Sequence, residues 1–299
     1  MCLTTKLVNI FKQSRNNKLI QHTTRNYAQN ILTSNELIIE NLQGKYSGVT
    51  VFGMKRPSRK NALGVNLVKQ LDEELDMISD KGKARVLIVR SLVKDIFCSG
   101  ADLKERIKMS PSEVSIFVKK LRSVVNKFHQ LPIPVIAAMD GSAFGGGLEI
   151  ALACDIRIVS ANIKLGLVET KLAIIPGAGG TQRLPRLINP AVAKELIYTA
   201  RIIDGKKAQI LGIANHCVDQ NESGDASYLS SLDLCEEMLR NGPLALKMAK
   251  TAINKGLEVD LHTGLAIEEA CYAQVIPTKD RTEALEAFQN NRVPNFVGE

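Results

Sequence analysis

Gly141-Ser142-Ala143-Phe144-Gly145-Gly146-Gly147-Leu148-Glu149 separates two apolar runs, residues 135–138 and residues 150–153. The first run follows Pro132 and Pro134 and reads as a short buried strand. The second continues a short helix over 147–153. The glycines between them therefore sit on a strand-to-helix turn. Glycine there lets the backbone approach a ligand closely. The free N–H groups and positive dipole end of a helix start can hold an oxyanion. The same run also serves plain tight packing, so taken alone it leaves both readings open.

Outward from this turn, strands alternate with helices, which is the pattern of an α/β fold. Residues 37–40 and 49–52 read as two strands joined by a turn containing Gly44 and Gly48. Residues 65–80 read as a helix with Val68, Leu71, Leu75 and Ile78 on one face. Residues 86–89 and 156–159 are further strands. A long helix begins at Ser110, which can cap it. Pro111 fits the first turn and Glu113 completes a capping box. Its expected buried stripe is Val114, Val118, Leu121, Val125 and Phe128. After Pro190 the strands are expected to stop. Residues 191–200, 227–240, 243–255, 261–274 and 278–290 all read as helices, with Gly256 placed to end the third.

Four stretches carry residues suited to chemistry. Glu149 lies in the first turn of a helix otherwise made of Leu148, Ile150, Ala151, Leu152 and Ala153. A carboxylate in such company is costly to bury without a reason, although the helix dipole alone can stabilise it. Glu169 follows Leu165-Gly166-Leu167-Val168, where it is either a second pocket carboxylate or a surface acid on a turn. Two carboxylates in an apolar pocket can hold a water and divide acid and base roles. Phe97-Cys98-Ser99-Gly100-Ala101-Asp102-Leu103-Lys104 follows the 86–89 strand. Lys104 suits a phosphate or is a solvated loop lysine, and Cys98 reads as a small core residue. Gly177-Ala178-Gly179-Gly180-Thr181 lacks the strand and acidic partner of a dinucleotide site and reads as a turn into a helix. No G-x-x-x-x-G-K-[ST] phosphate loop occurs.

Composition narrows the classes. The chain has 299 residues, enough for one large domain or two small ones. No run of about 18 uncharged apolar residues suggests a membrane helix. The six cysteines form no C-x-x-C pair and the four histidines make no zinc spacing, so free thiols and no metal are expected. The formal charge of +8 is concentrated at the start: Lys6, Lys12, Arg15, Lys18 and Arg25 precede the first acid, Glu36. A basic, acid-poor, amphipathic segment reads as a mitochondrial transit peptide, with a disordered basic tail as the alternative. Arg25-Asn26-Tyr27-Ala28 suits cleavage after Tyr27, making 1–27 the leader and lowering the formal charge to +3. So small a charge gives no reason to expect nucleic-acid affinity.

The order of these pieces resembles the crotonase superfamily from residue 37 to the C-terminus. The resemblance is carried by Arg56-Pro57 with Asn61-Ala62-Leu63, and by Cys98-Ser99-Gly100-Ala101-Asp102. Gly145-Gly146-Gly147-Leu148-Glu149 and Ile175-Pro176-Gly177-Ala178-Gly179-Gly180-Thr181-Gln182-Arg183 complete it. It implies an α/β spiral of β-β-α turns over 35–230 and a C-terminal helical trimerisation region over 231–299, giving trimers or dimers of trimers. It also implies an acyl-CoA thioester substrate, with no separate cofactor because CoA enters as part of the substrate. Ala101 and Gly146 match the oxyanion-hole positions, and Glu149 and Glu169 the catalytic glutamates. Ala101, Asp102, Leu103, Lys104, Gly146 and Phe288 match CoA- or substrate-binding positions. Both glutamates together favour hydration over double-bond isomerisation.

The C-terminal half, notably residues 167–176 and 265–281, is most similar to a mitochondrial-matrix branch. That branch hydrates 3-methylglutaconyl-CoA in leucine degradation; short straight-chain enoyl-CoA is the alternative substrate. The branch also includes binding of AU-rich RNA through lysines of one helix. Here that helix has Val65 and Glu73 at two of those positions, keeps Lys69, and adds Asp72, Glu74 and Asp76. These acids would repel phosphates, which opposes RNA as a partner. A C-terminal lysine that reaches CoA in relatives is replaced by Asn291, with Arg292 beside it.

Overall fold

Strands that feed two sheets in alternation organise the chain. The computed structural model describes residues 35–81 and 83–299, so the expected leader at 1–27 lies outside the described residues. Residues 37–299 form one unit. It opens with a hairpin of β1 (Leu37–Asn41) and β2 (Val49–Met54), antiparallel as expected. Helix α1 (Val65–Lys81) then crosses to β3 (Val86–Ser91), which runs parallel to β2.

From β3 the chain repeats a motif. Each turn gives one strand to a large sheet, one to a small sheet, and then a helix. Strands β3, β5 (Val135–Met139) and β7 (Ile156–Ser160) enter the large sheet. Strands β4 (Ile96–Cys98), β6 (Ser142–Phe144) and β8 (Lys164–Gly166) enter the small one. The intervening helices are α2 (Leu103–Arg106) with α3 (Pro111–Gln130), α4 (Gly146–Ala153), and α5 (Gly180–Leu187) with α6 (Pro190–Tyr198). Right-handed crossovers make such a repeat a spiral, which is the crotonase-type architecture that the sequence implied.

The strands do not stop after Pro190. β9 (Ile203–Asp204) closes the small sheet beside β8. β10 (His216–Val218) closes the large sheet beside β7, with α7 (Gly205–Ile210) between them. Two- and three-residue strands are too short to show a period in sequence. The large sheet runs β1-β2-β3-β5-β7-β10 and the small one β4-β6-β8-β9.

The large sheet is covered on both faces, which explains its continuous apolar strands. On one face, α1, α3 and α4 bury Leu67, Leu71, Leu75, Val124, Val125, Phe128 and Ile150 with Phe52 and Val89. On the other, α8 (Ala226–Leu239) packs Leu232 and Cys235 onto Val51, Ile88, Ile136 and Ile158. Helices α9 (Pro243–Gly256), α10 (Leu261–Val275) and α11 (Lys279–Gln289) follow. Gly256 does not stop α9 with a left-handed residue; it is the last helical residue and allows close approach of Gly264 in α10. The capping box at Ser110 and Glu113 forms as read. Val114 and Val118, in the first half of α3, are only half-buried, unlike Leu121, Val125 and Phe128.

Candidate active site

Glu149 and the glycine turn share one short helix. Gly145 takes φ 49° and ψ −124°, a conformation suited to glycine, and its N–H donates to Gly166 O (2.9 Å). That pins the start of α4 against β8. Every residue of α4 is buried, Glu149 to 2 % exposure. Its carboxylate is held by Ala178 N–H (2.8 Å) and Gly180 N–H (2.7 Å), both donating to Oε1. The 177–181 turn is thus a backbone clamp on Glu149, more than a lead into α5. Backbone donors leave no side-chain signature, which is why the sequence hid this role. Burial pushes the Glu149 carboxyl above its usual range, opposed by these two donors and by the Arg183 and Arg122 charges.

Glu169 arrives from the other side. β8 leads through Val168 into a tight 3₁₀ turn, Glu169–Leu172. A Cβ on Gly145 would stand 3.0 Å from Glu169 Oε1, and one on Gly146 would stand 3.9 Å from Glu149 Oε2. The two carboxylates therefore flank one glycine turn, as the chain path suggested. Burial, with a smaller push from the Glu149 charge, raises the Glu169 carboxyl to about 7 against one backbone hydrogen bond. Its Oε2 is buried without a hydrogen-bond partner among the described residues. Such an atom is expected to meet water or a ligand.

Two backbone N–H groups complete the cluster. Gly100, at φ 90°, lies so near the turn that a Cβ there would stand 3.4 Å from Gly146 N. This brings Ala101 beside Gly146. Leu63 fixes the loop by donating to Gly100 O (2.7 Å) and accepting from Asp102 N–H (3.3 Å), a pairing that leaves the Ala101 N–H unused. The Gly146 N–H, at a helix start, is likewise unpartnered among the described residues.

The remaining candidates separate. The Asp102 side chain is turned away from solvent: it caps α2 through Lys104 N–H (3.0 Å) and Glu105 N–H (3.1 Å) and pairs with Arg56 (2.8 Å). Leu103 and Lys104 are exposed on α2. Phe288 is 84 % exposed on α11, in a different part of the chain from the glutamates. Cys98 is a core residue: its thiol donates to Asn61 O (3.0 Å) and burial pushes it up to about 12. Among the described residues no cluster of His, Cys, Asp and Glu could hold a metal, and no helix is long and apolar enough to cross a membrane.

The arrangement offers two neighbouring N–H donors without partners among the described residues and two carboxylates held differently. Such a set can polarise a carbonyl and move protons beside it. The chain as a whole is similar to known proteins. The profile of the enoyl-CoA hydratase/isomerase family matches residues 44–299. Human mitochondrial methylglutaconyl-CoA hydratase is 55 % identical over 275 residues, covering 92 % of this chain and 81 % of that protein. Human mitochondrial enoyl-CoA hydratase domain-containing protein 2 is 50 % identical over 263 residues, covering 88 % and 90 %. The crystal structure of an enoyl-CoA hydratase from Bacillus anthracis superimposes with a TM-score of 0.84 at 42 % identity, covering 89 % of this chain and all of that one. Fold, motif order and relatives agree: this chain is a member of the enoyl-CoA hydratase/isomerase family.

Proposed function

We propose that the protein hydrates 3-methylglutaconyl-CoA to 3-hydroxy-3-methylglutaryl-CoA, in the mitochondrial matrix, as a step of leucine degradation. The observation that carries the reaction type is the pair of unlike carboxylates at one glycine turn, beside two unpartnered N–H groups. The acyl group rests on the similarity to methylglutaconyl-CoA hydratases, and the location on their being mitochondrial.

The thioester oxygen lies between the N–H groups of Ala101 and Gly146. Water adds at Cβ and gives a proton to Glu149, whose two backbone donors favour the carboxylate form against the upward push of burial. The electron pair of the double bond moves through the thioester onto its oxygen, where the two N–H groups stabilise it. Losing one such donor typically costs ~10²–10³ in rate. The enolate then collapses as Cα takes a proton from Glu169, whose pKa of about 7 keeps a proton available near neutrality. Water is consumed, and the two glutamates exchange protonation states before resetting through solvent. No metal or redox group enters this scheme, since CoA arrives with the substrate. Lys104 and Leu103 at the start of α2, and Phe288 of a neighbouring copy, are placed by this reading along the CoA. The assembly it requires is a trimer or a dimer of trimers built on α9–α11.

The test is hydration of 3-methylglutaconyl-CoA and crotonyl-CoA by the full chain, Glu149→Gln and Glu169→Gln. Preference for the methylglutaconyl substrate, with each variant slower by about 10²–10⁴-fold, is expected. Preference for crotonyl-CoA would move the protein to fatty-acid oxidation with the same chemistry. Variants as fast as the parent would end the two-glutamate scheme.

A further inference from the structure

A substrate with a free carboxylate beyond Cβ meets a difficulty in this site, because the carboxylate of the base, Glu149, repels it. Near neutral pH, one cation close to Glu149 would offset that repulsion. Helix α3 brings one. Val118, Leu121, Arg122 and Val125 share a face of that helix at i, i+3, i+4 and i+7 spacing. Leu121 Cδ2 lies 3.8 Å from where a Gly146 Cβ would be, and Val118 Cγ1 lies 3.0 Å from where a Gly177 Cβ would be. This face therefore looks onto both the oxyanion turn and the clamp that holds Glu149.

Arg122 is tied to the clamp itself: its Nε donates to Gly177 O (2.8 Å), one residue before the Ala178 N–H that grips Glu149. The Arg122 side chain is otherwise exposed, and its terminal nitrogens make no hydrogen bond among the described residues. One donor anchors the guanidinium and the other edge is left for a bidentate carboxylate. Its charge already acts on the Glu149 carboxylate. Two other arginines are less suited. Arg183 is spent on Ala178 O (3.1 Å) and Asn126 Oδ1 (3.1 Å). Arg106 is spent stacking over the Phe117 ring at 5.0 Å, and its charge is not among those acting on Glu149.

We propose that Arg122 is the specificity-determining residue of this site, receiving the distal carboxylate of a substrate that carries one beyond the carbon attacked by water. The inference rests on the reaction and substrate read above, and it adds the group that selects that substrate.

The experiment compares kcat/KM for 3-methylglutaconyl-CoA and crotonyl-CoA in the parent chain, Arg122→Gln, Arg122→Lys and Arg106→Gln. The reading is the ratio of the two substrates, so a general loss of activity cancels. Gln can keep a donor for Gly177 O but removes the charge. The ratio is expected to fall about 10–100-fold in Arg122→Gln, as losing a charged hydrogen bond implies. The loss should sit mainly in KM, with most of the ratio retained in Arg122→Lys and in Arg106→Gln. A ratio unchanged within threefold in Arg122→Gln overturns the proposal while leaving the hydratase reading intact. So does a ratio that collapses in Arg106→Gln instead. A parent chain that hydrates crotonyl-CoA but not 3-methylglutaconyl-CoA overturns the substrate reading and this inference with it.

Discussion

A carboxyl group buried as deeply as Glu149 is driven towards its neutral form by lost hydration. Two backbone donors and two arginine charges oppose that drive. At Glu169 both burial and the Glu149 charge push the same way, to about 7. Hydration needs Glu149 as the base and Glu169 as the acid, and a Glu169 carboxyl raised to about 7 still holds a proton in part of the molecules near neutrality. Because Glu169 must be protonated to act as the acid, kcat/KM should fall about tenfold per pH unit above about 7. It should fall again at low pH as Glu149 takes up a proton. A pH–rate profile checks this, and a flat profile from pH 6 to 9 would take Glu169 out of the acid role. Stability carries the matching sign. A raised carboxyl pKa stabilises the fold fully below the unfolded value of about 4.3, and that contribution is lost as pH rises through about 7. Glu169→Gln keeps the shape without the charge. It should therefore be nearly inactive yet melt a few degrees higher than the parent at pH 8. That gain corresponds to about 1–2 kcal/mol after solvent screening and should vanish near pH 4.5. Thermal unfolding at the two pH values measures it.

At the scale of elements, the site depends on how closely α4 and β4 approach. A Cβ on Gly147 would run into the Cys98 carbonyl and side chain, and backbone cannot rotate away as a side chain tip can. Gly147→Ala should cost about 1–3 kcal/mol and several degrees in Tm. It should also slow hydration below the melting range, because α4 carries both Gly146 N and Glu149. Activity assayed well below Tm separates the two effects. A Gly147→Ala chain with the parent Tm would mean that the interface yields more than its packing suggests. Much of this level was legible: the Ser110 box, the apolar run at 86–89 and the face of α1 each carry their structure in local chemistry. β9 and β10 were not, because they exist only by pairing with β8 and β7. The Glu149 clamp was hidden for a related reason, since Ala178 and Gly180 act through backbone N–H groups that any residue has. Gly256 misled because a glycine near a helix end can serve a cap or a close crossing, and only the position of Gly264 decides. The acids of α1 also gain meaning from a neighbour: Asp72 pairs with both Lys120 and Lys127 of α3, and Asp76 with Lys127. Neutralised in this way, that surface is expected to bind RNA poorly. Asp72→Asn with Asp76→Asn should raise binding in a shift assay at low salt; no change would show that these acids do not set it.

Across the whole molecule, the apolar side chains that remain outside are unevenly placed. Leu257 is 83 % exposed, Leu261 78 %, Phe288 84 % and Val293 84 %, all on or beside α9–α11. Single exposed apolar residues are ordinary. A concentration of large ones on the last three helices marks a surface that another copy can cover. The trimer or hexamer proposed above makes that partner a second copy of the chain, and it would bring Phe288 to a site its own chain does not offer it. The two descriptions part on one pair of substitutions. In an isolated chain, Leu257→Glu with Leu261→Glu exchanges solvated side chains and should shift stability by no more than about 0.5 kcal/mol per site. In an assembly, it places unpaired charges in an apolar contact, where each is strongly destabilising. Light scattering on the parent chain is expected to give three or six times the chain mass, and the double variant a smaller species with a lower Tm. If CoA is held partly from the neighbour through Phe288, the dissociated variant should also show a raised KM for the acyl-CoA while Glu149 and Glu169 stay in place. A double variant of unchanged mass, Tm and KM would mean that these helices face water and that each chain binds its substrate alone.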